Sequence, residues 1–385
     1  MCISQMVDTI VTMVFLAVAL VYVVLIIRFF FGFKKIDRQP HHSGARLAVS
    51  VIVPFRNEES TIGRTLESLL EQQTDADFDI VAVDDHSTDG SARVVADIAA
   101  RNPHLRLVES EGQGKKAALA TGIATARHNA IITADADCTY NSHWLDAMSA
   151  TFEQQGCRLL AAPVVIGGRL NWFGKFQFVD FASLVGSGIG AAGCRRPIMC
   201  NGANLMFSRQ TYNELTDPLN SKFASGDDVF LLHSIKKNFG ADSICFTAQP
   251  ETIAETRPAP TMGAFLRQRT RWGCKATGYT DADSLIVAAV VAAESLLLCI
   301  GIAALPLLWK PALVLYLTKL VADTLLLSAV CKRFGNRRFL WWMPVYEFIV
   351  AVYTLWVFVS AVFSSGKPAW KSSREEEYRH TKHKI

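Results

Sequence analysis

The sequence predicts an α/β domain on a mostly parallel sheet, flanked by transmembrane helices. Three observations predict it. Residues 47–283 alternate β-branched runs with amphipathic stretches, as a parallel sheet wrapped by helices does. On both sides of this region lie apolar stretches of about 20 residues, long enough to cross a ~30 Å hydrocarbon core. Within it, charged clusters fall at the carboxyl ends of the predicted strands, where loops and helix N-termini converge on a ligand.

Composition removes several classes. The 385 residues are 50% hydrophobic and 19% charged, with mean hydropathy +0.22, which excludes a disordered chain. The net charge of +4 is small and dispersed, so nucleic acid is not an expected partner. The 9 cysteines include no CxxC pair, which indicates neither a zinc site nor a secreted disulfide framework. Free buried thiols in a reducing compartment are the plain reading.

Residues 1–46 form an anchor and linker. The helix expected over about 9–31 carries one charge, Arg28. A cleaved signal peptide would need a basic start, a shorter apolar run and a small-residue cleavage site. Residues 1–8 contain no Lys or Arg, and Phe29, Phe30 and Phe31 occupy the exit, so an uncleaved anchor is expected. Lys34, Lys35, Arg38 and Arg46 follow, which places the next domain in the cytoplasm.

In the middle domain, strands are predicted at 47–55, 78–90 (running into a turn), 105–110 and 129–138. Helices are predicted at 60–73, 91–102 and 114–126. Beyond it, 284–363 forms a C-terminal membrane region with apolar stretches at 284–308, 312–331 and 339–363. Lys332, Arg333, Arg337 and Arg338 mark a cytoplasmic loop between the last two. Glu294, Lys319, Asp323 and Glu347 lie inside these stretches and should face one another or a polar cavity. Three crossings would leave the basic tail, 364–385, outside against the charge rule; two or three crossings both stay open.

Strand ends carry the candidate chemistry. Arg56, Asn57 and Glu58 follow the first strand, Asp84, Asp85 and Asp89 the second, and Asp135 and Asp137 the third of the buried kind. DxD also occurs at 75–77, 77–79 and 281–283, but only Asp135–Asp137 ends a strongly apolar strand; the others read as solvated loop charges. Carboxylates at i and i+2 there suit a metal and a diphosphate, and an oxygen donor set favours Mg2+ or Mn2+. Lys115, at a predicted helix N-terminus, suits a phosphate or plain surface charge. Two GxGxxG-like runs, at 112–117 and 188–193, lack the strand–turn–helix setting of a dinucleotide site. Asp227 and Asp228 open a helix either as dipole-stabilising N-cap acids or with one as a general base. Gln268, Arg269, Thr270, Arg271 and Trp272 precede the next apolar stretch and would equally suit a membrane-interface anchor.

Together these blocks resemble the family-2 glycosyltransferases, membrane-bound inverting enzymes with the GT-A fold. VSVIVPFRNEE, VDDHSTDGS, GKKAAL, ADAD, CNGANLMFSR, GDD and QRTRW are similar to the family's motifs and stand in its order, from Val49 to Trp272. The resemblance implies that Pro54, Arg56 and Glu58 line the nucleoside pocket and that Asp85 hydrogen-bonds uracil. It further implies that Lys115 approaches the diphosphate, Asp135 the donor and Asp137 the metal, with Asp228 as base. Asn201, Gly202, Asp227, Gln268, Arg271 and Trp272 would then stand on the acceptor and diphosphate side. The sequence departs from the pattern at His86 (commonly glycine), Ala120 (usually asparagine) and Asp227 (more often glutamate).

The implied activity is inverting transfer of a hexosyl or N-acetylhexosaminyl group from a nucleotide sugar, expected to be UDP-linked, to a hydroxyl of a membrane lipid or lipid-linked acceptor. The implied setting is cell-envelope glycan assembly at a bacterial plasma or inner membrane, with the catalytic domain cytoplasmic. A processive polysaccharide synthase is the alternative: QRTRW favours it, whereas so few apolar segments make a thin wall for a polymer channel. An inactive scaffold or sugar-nucleotide sensor is the remote one. Membrane lipids are expected contacts, and protein partners stay open. The aromatic run Trp172, Phe173, Phe176, Phe178 and Phe181 reads as core, with burial in lipid the other reading.

Overall fold

In the computed structural model the described residues are 3–363, without Ala45, Ala224 and Asn336. The basic tail expected over 364–385 lies outside them. Strand and helix alternate as the β-branched runs dictate: α1 (Ile3–Asp37), β1 (Val49–Phe55), α2 (Ile62–Leu70), β2 (Phe78–Asp84), α3 (Ser91–Ala99), β3 (Leu105–Glu109), α4 (Lys115–Thr125) and β4 (Ala130–Ala134). All seven residues of β1 are buried, because α-helices cover both of its faces. It pairs in parallel with β2 and β4, and β2 with β3.

The second half departs from simple alternation. β5 (Thr139–Tyr140), α5 (Trp144–Gln155), β6 (Leu159–Ala161), β7 (Val164–Ile166), α6 (Trp172–Gly193), β8 (Asn204–Ser208), α7 (Arg209–Asn213), α8 (Asp227–Phe239), β9 (Ile244–Phe246) and β10 (Ala254–Thr256) follow. β8 runs antiparallel between β4 and β6, and the seven-stranded order is β3-β2-β1-β4-β8-β6-β9. The fully buried Asn204 holds this junction. Its Oδ1 accepts from Trp144 Nε1 at 3.0 Å, and its Nδ2 donates to the carbonyls of Pro163 and Thr252, both at 2.8 Å. A small sheet, β5-β10-β7, closes the carboxyl edge of the main one.

Four helices are long and apolar enough to cross a membrane: α1, α10 (Ala282–Ala303), α11 (Leu305–Arg333) and the region of α12 (Met343–Phe363), entered from Phe339. α9 (Met262–Ala276), short and amphipathic, joins the sheet domain to them. Two sequence-based boundaries move. The first helix runs from Ile3 to Asp37, beyond 9–31, because Asp37 pairs with Lys34 and with Arg333 of α11 and fixes its end. The break expected between 308 and 312 falls instead at Ala304. Pro306 sits in the first turn of α11, where a missing N–H costs nothing, and Pro311 lies inside the helix.

α6 settles two readings. Its N-cap Asn171 accepts from the Gly174 N–H at 2.8 Å. Phe173, Phe178 and Phe181 are buried and Phe176 packs on Phe265, Tyr346 and Tyr353, so they are core; Trp172 is 71% exposed. The glycines of the 188–193 run serve helix packing. A Cβ on Gly190 would lie 2.4 Å from the Phe29 carbonyl oxygen, and one on Gly193 2.1 Å from that of Gly32, so α1 and α6 touch backbone to backbone.

Candidate active site

The ends of β1 and β2 are stitched together first. Asn57 and His86 both adopt positive φ (53° and 54°), turning the chain sharply at each strand end. Glu58 N–H donates to Ser91 Oγ at 2.7 Å, Glu59 N–H to Asp89 Oδ2 at 3.2 Å, and Thr88 N–H to Asn57 Oδ1 at 2.8 Å. The Glu58 side chain is buried and accepts from Thr61 Oγ1 at 2.8 Å. Asp85 is fully buried; its Oδ1 accepts from Gly114 N–H at 2.7 Å and its Oδ2 faces Arg56 at 3.5 Å. Burial raises the Asp85 pKa, and the Gly114 and Arg56 contacts oppose the rise.

A cavity of about 520 Å3 opens at the carboxyl edge of the sheet. Pro54, Glu58, Lys115, Asp135, Asp137, Asn201, Gly202, Asp227, Asp228, Gln268, Arg271 and Trp272 all line it. The two remaining candidates, Arg56 and Asp85, stand off its wall. In this conformation Asp85 braces the loop that precedes α4.

Lys115 joins the two sides. Its Nζ lies 2.7 Å from Asp135 Oδ1 and 3.5 Å from Asp227 Oδ2. Burial alone would lower its pKa, but Asp135 and then Asp227 more than offset this and hold it above the usual lysine value. Gly226, at φ 90°, caps α8, so Asp227 and Asp228 occupy its first turn rather than the cap. Burial alone would raise the Asp228 pKa; Lys275, then Lys115 and the Val229 N–H, hold it below the usual carboxylate range.

Among the described residues, no three His, Cys, Asp or Glu side chains gather closely enough to hold a metal ion. Asp137 on the cavity wall, with Asp135 beside it, nevertheless fits a hard cation that takes one or two carboxylates and completes its shell with water and substrate phosphates.

The QRTRW segment divides its residues between a buried ion pair and the cavity wall. Arg269 turns away from the cavity's centre to a buried ion pair with Asp180, which also accepts from Tyr353 Oη, and it stacks over Trp272 and Phe265 at 4.2 and 4.7 Å. This anchors α9 to α6 and α12, while Gln268, Arg271 and Trp272 present themselves to the cavity. Sequence reasoning missed Lys275, one turn beyond Arg271, whose Nζ lies 3.2 Å from Asp228 Oδ1. Helical spacing from Arg271 was the available signal. It also missed the apolar far wall, lined by Leu184, Val185 and Ile189 of α6 and by Val287, Ala288 and Val291 of α10.

Of the acids expected to be solvated loop charges, Asp79, Asp281 and Asp283 are paired instead, while Asp77 is exposed. Asp79 is buried and bonded to Ser50 and Arg106 at 2.5 and 2.6 Å. Asp281 caps α10 through Ser284 and, with Asp283, binds Lys236. All three answer partners on other elements that local sequence does not display.

Residues 50–214 match the family model of glycosyl transferase family 2. The chain is 27% identical over 236 residues to glycosyltransferase AglE of Haloferax volcanii, covering 58% of this chain and 71% of that one. It is 36% identical over 95 residues to the 4,4'-diaponeurosporenoate glycosyltransferase of Staphylococcus aureus, 24% of each chain. Among solved structures it is similar to the mannosyltransferase PcManGT of Pyrobaculum calidifontis, in complex with GDP-Man and Mn2+. There the TM-score is 0.53 at 17% identity, covering 92% of this chain and all of that one.

Proposed function

We propose that this chain, which carries a family-2 glycosyltransferase domain of GT-A fold, transfers a hexosyl or N-acetylhexosaminyl group with inversion from a nucleotide sugar to a membrane lipid or lipid-linked acceptor. One observation carries the lipid acceptor: a single cavity runs from Asp135, Lys115 and Asp228 to an apolar wall made partly by α10, a helix long enough to cross a membrane. A soluble acceptor has no need of that wall, whereas an acyl or prenyl chain is solvated by it.

Pro54 and Glu58 bound the nucleoside side, and Lys115 stands where the diphosphate would lie. Asp137 would hold Mg2+ or Mn2+, which supplies countercharge to the leaving diphosphate when bound. The mannosyltransferase solved with GDP-Man and Mn2+ is in keeping with that assignment. A UDP-linked donor is the expectation carried by Asp85, whose carboxylate Gly114 and Arg56 occupy in this conformation. Asp228 accepts the acceptor proton as the new C–O bond forms, and the diphosphate departs opposite with its electron pair. Lys34, Lys35, Lys332 and Arg333 flank the sheet-domain ends of α1 and α11, which supports a cytoplasmic site at a bacterial plasma or inner membrane.

The test is calorimetric titration of the detergent-purified protein with UDP and GDP, with and without Mn2+, followed by transfer assays on a bacterial polar-lipid extract. Metal-dependent binding lost in Asp135→Asn/Asp137→Asn supports the donor site, and a single lipid-soluble product supports the acceptor. A ladder of long products would instead select the processive synthase. Asp228→Asn should bind donor normally and lose about 100-fold or more in turnover; normal turnover would remove Asp228 as base.

A further inference from the structure

No motif marks Lys275, yet its surroundings are built. The side chain leaves the last turn of α9 and passes over Gly226, where a Cβ would stand 3.0 Å from Lys275 Cδ. Its ammonium reaches Asp228, and both side chains are largely buried, 14% exposed each. Asp228 Oδ1 also accepts from Val229 N–H at 2.8 Å, and Oδ2 from Gly202 N–H at 3.3 Å. Oδ1 therefore has two donors, one for each lone pair, while Oδ2 has one. An acceptor hydroxyl reaches Oδ1 only where a donor moves, and the Lys275 ammonium, on a flexible stem, moves more readily than a helix N–H.

We propose that Lys275 is a positioning residue for the transfer: its ammonium holds the Asp228 carboxylate on the acceptor side of the cavity and yields its place on Oδ1 to the acceptor hydroxyl. This rests on Asp228 being the base. The proton then passes from the hydroxyl to Oδ1, the acceptor oxygen bonds to the anomeric carbon, and the bond to the diphosphate breaks with its electron pair on the leaving group. Lys275 keeps Asp228 ionised until that moment.

The charges around Asp228 set the sign of the pH effect. Lys115 and Lys116 face it from α4, Lys275 and Tyr279 from α9 and the turn after it, Cys200 from the loop before β8, and Asp227 and His233 from α8 itself. Lys275 is the leading cause that lowers the Asp228 pKa, against burial that raises it. Asp228 in turn holds the Lys275 pKa above the usual lysine value, against burial that lowers it. Without Lys275 the balance tips toward burial, and the carboxyl titrates at higher pH.

The experiment reads that titration directly. Infrared difference spectra of the full chain, wild type minus Asp228→Asn, isolate the carboxylate band and are followed from pH 4 to 9; the same subtraction is made in Lys275→Met and Lys275→Arg backgrounds. The midpoint should rise by about one unit or more in Lys275→Met and stay within about half a unit in Lys275→Arg, since each unit is a ten-fold change in the ratio of ionised to protonated carboxyl. The acid limb of kcat/KM, measured as nucleoside diphosphate release with the polar-lipid extract, should move by the same amount. An unmoved midpoint in Lys275→Met overturns the proposal, as does an unchanged acid limb with only a raised acceptor KM. Full turnover in Asp228→Asn would instead overturn the base assignment, which separates the two failures.

Discussion

His86 occupies a left-handed position, φ 54°, at the end of β2, where the resembling family commonly has glycine. The structure gives that preference a backbone reason: the turn out of β2 needs a positive φ, which costs a residue with a Cβ about 1–2 kcal/mol. His86 recovers part of this through Nε2 at 3.2 Å from the Gly112 carbonyl, and its ring also lies 3.5 Å from Glu109. The departure from the family pattern therefore has a conformational consequence. His86→Gly should change stability by no more than about 1 kcal/mol, trading ring contacts for backbone ease. His86→Val, β-branched at positive φ, should cost roughly 2 kcal/mol or more. Thermal denaturation of the two variants checks the pair; equal losses would mean that the ring contacts, and not φ, dominate this turn.

At the scale of elements, α1 and α6 form a seam in which glycine is required by contact. A Cβ on Gly190 would press 2.4 Å from a backbone oxygen that no rotamer change can move. Gly190→Ala should cost about 1–3 kcal/mol, as overpacking does. Gly63 of α2 is the control: its Cβ would meet only Val94 Cγ1, at 3.5 Å. Gly63→Ala should therefore stabilise by about 0.5–1 kcal/mol through helix propensity. Detergent melting curves that move in opposite directions support the seam. The same contrast explains what the sequence made legible. β1, α2, β2, α3, β3, α4 and β4 fall within a few residues of expectation, because each is written in its own hydrophobic period. The antiparallel β8, the three-stranded sheet and the glycine seam depend on partners distant in the chain, and local pattern carries no trace of them. The cavity follows the same rule. Its acids and Lys115 stand at strand ends and helix starts and were legible, whereas Lys275 and the apolar wall from α6 and α10 arise only when α9 docks.

Across the whole molecule, the four helices long and apolar enough to cross a membrane converge on one ammonium. Lys319 of α11 lies 2.5 Å from Asp323, 2.9 Å from Glu347 of α12 and 3.9 Å from Glu294 of α10, and donates to Tyr22 Oη of α1 at 3.0 Å. Tyr22 in turn donates to Asp323 at 2.8 Å. The sequence placed these charges inside apolar stretches, to face one another or a polar cavity; they face one another, through side chains from all four helices. None of them lines the cavity at the carboxyl edge of the sheet, so the cluster and the proposed chemistry can be separated by mutation. Lys319→Met leaves three carboxylates facing one another in an apolar surround. Removing one partner of a buried charge network costs about 3–5 kcal/mol, because the partner left behind stays unpaired. The variant should therefore lose most of its folded yield in detergent, while the fraction that remains folded binds nucleoside diphosphate with unchanged affinity. Adding Glu347→Gln to Lys319→Met removes one of the stranded charges and should recover part of the yield. Size-exclusion profiles and nucleotide titration of the three proteins decide it. Weakened nucleotide binding in the folded fraction would mean that the packing of α10 and α12 reaches the donor side of the cavity, by way of α9 and the Arg269–Asp180 pair that holds it.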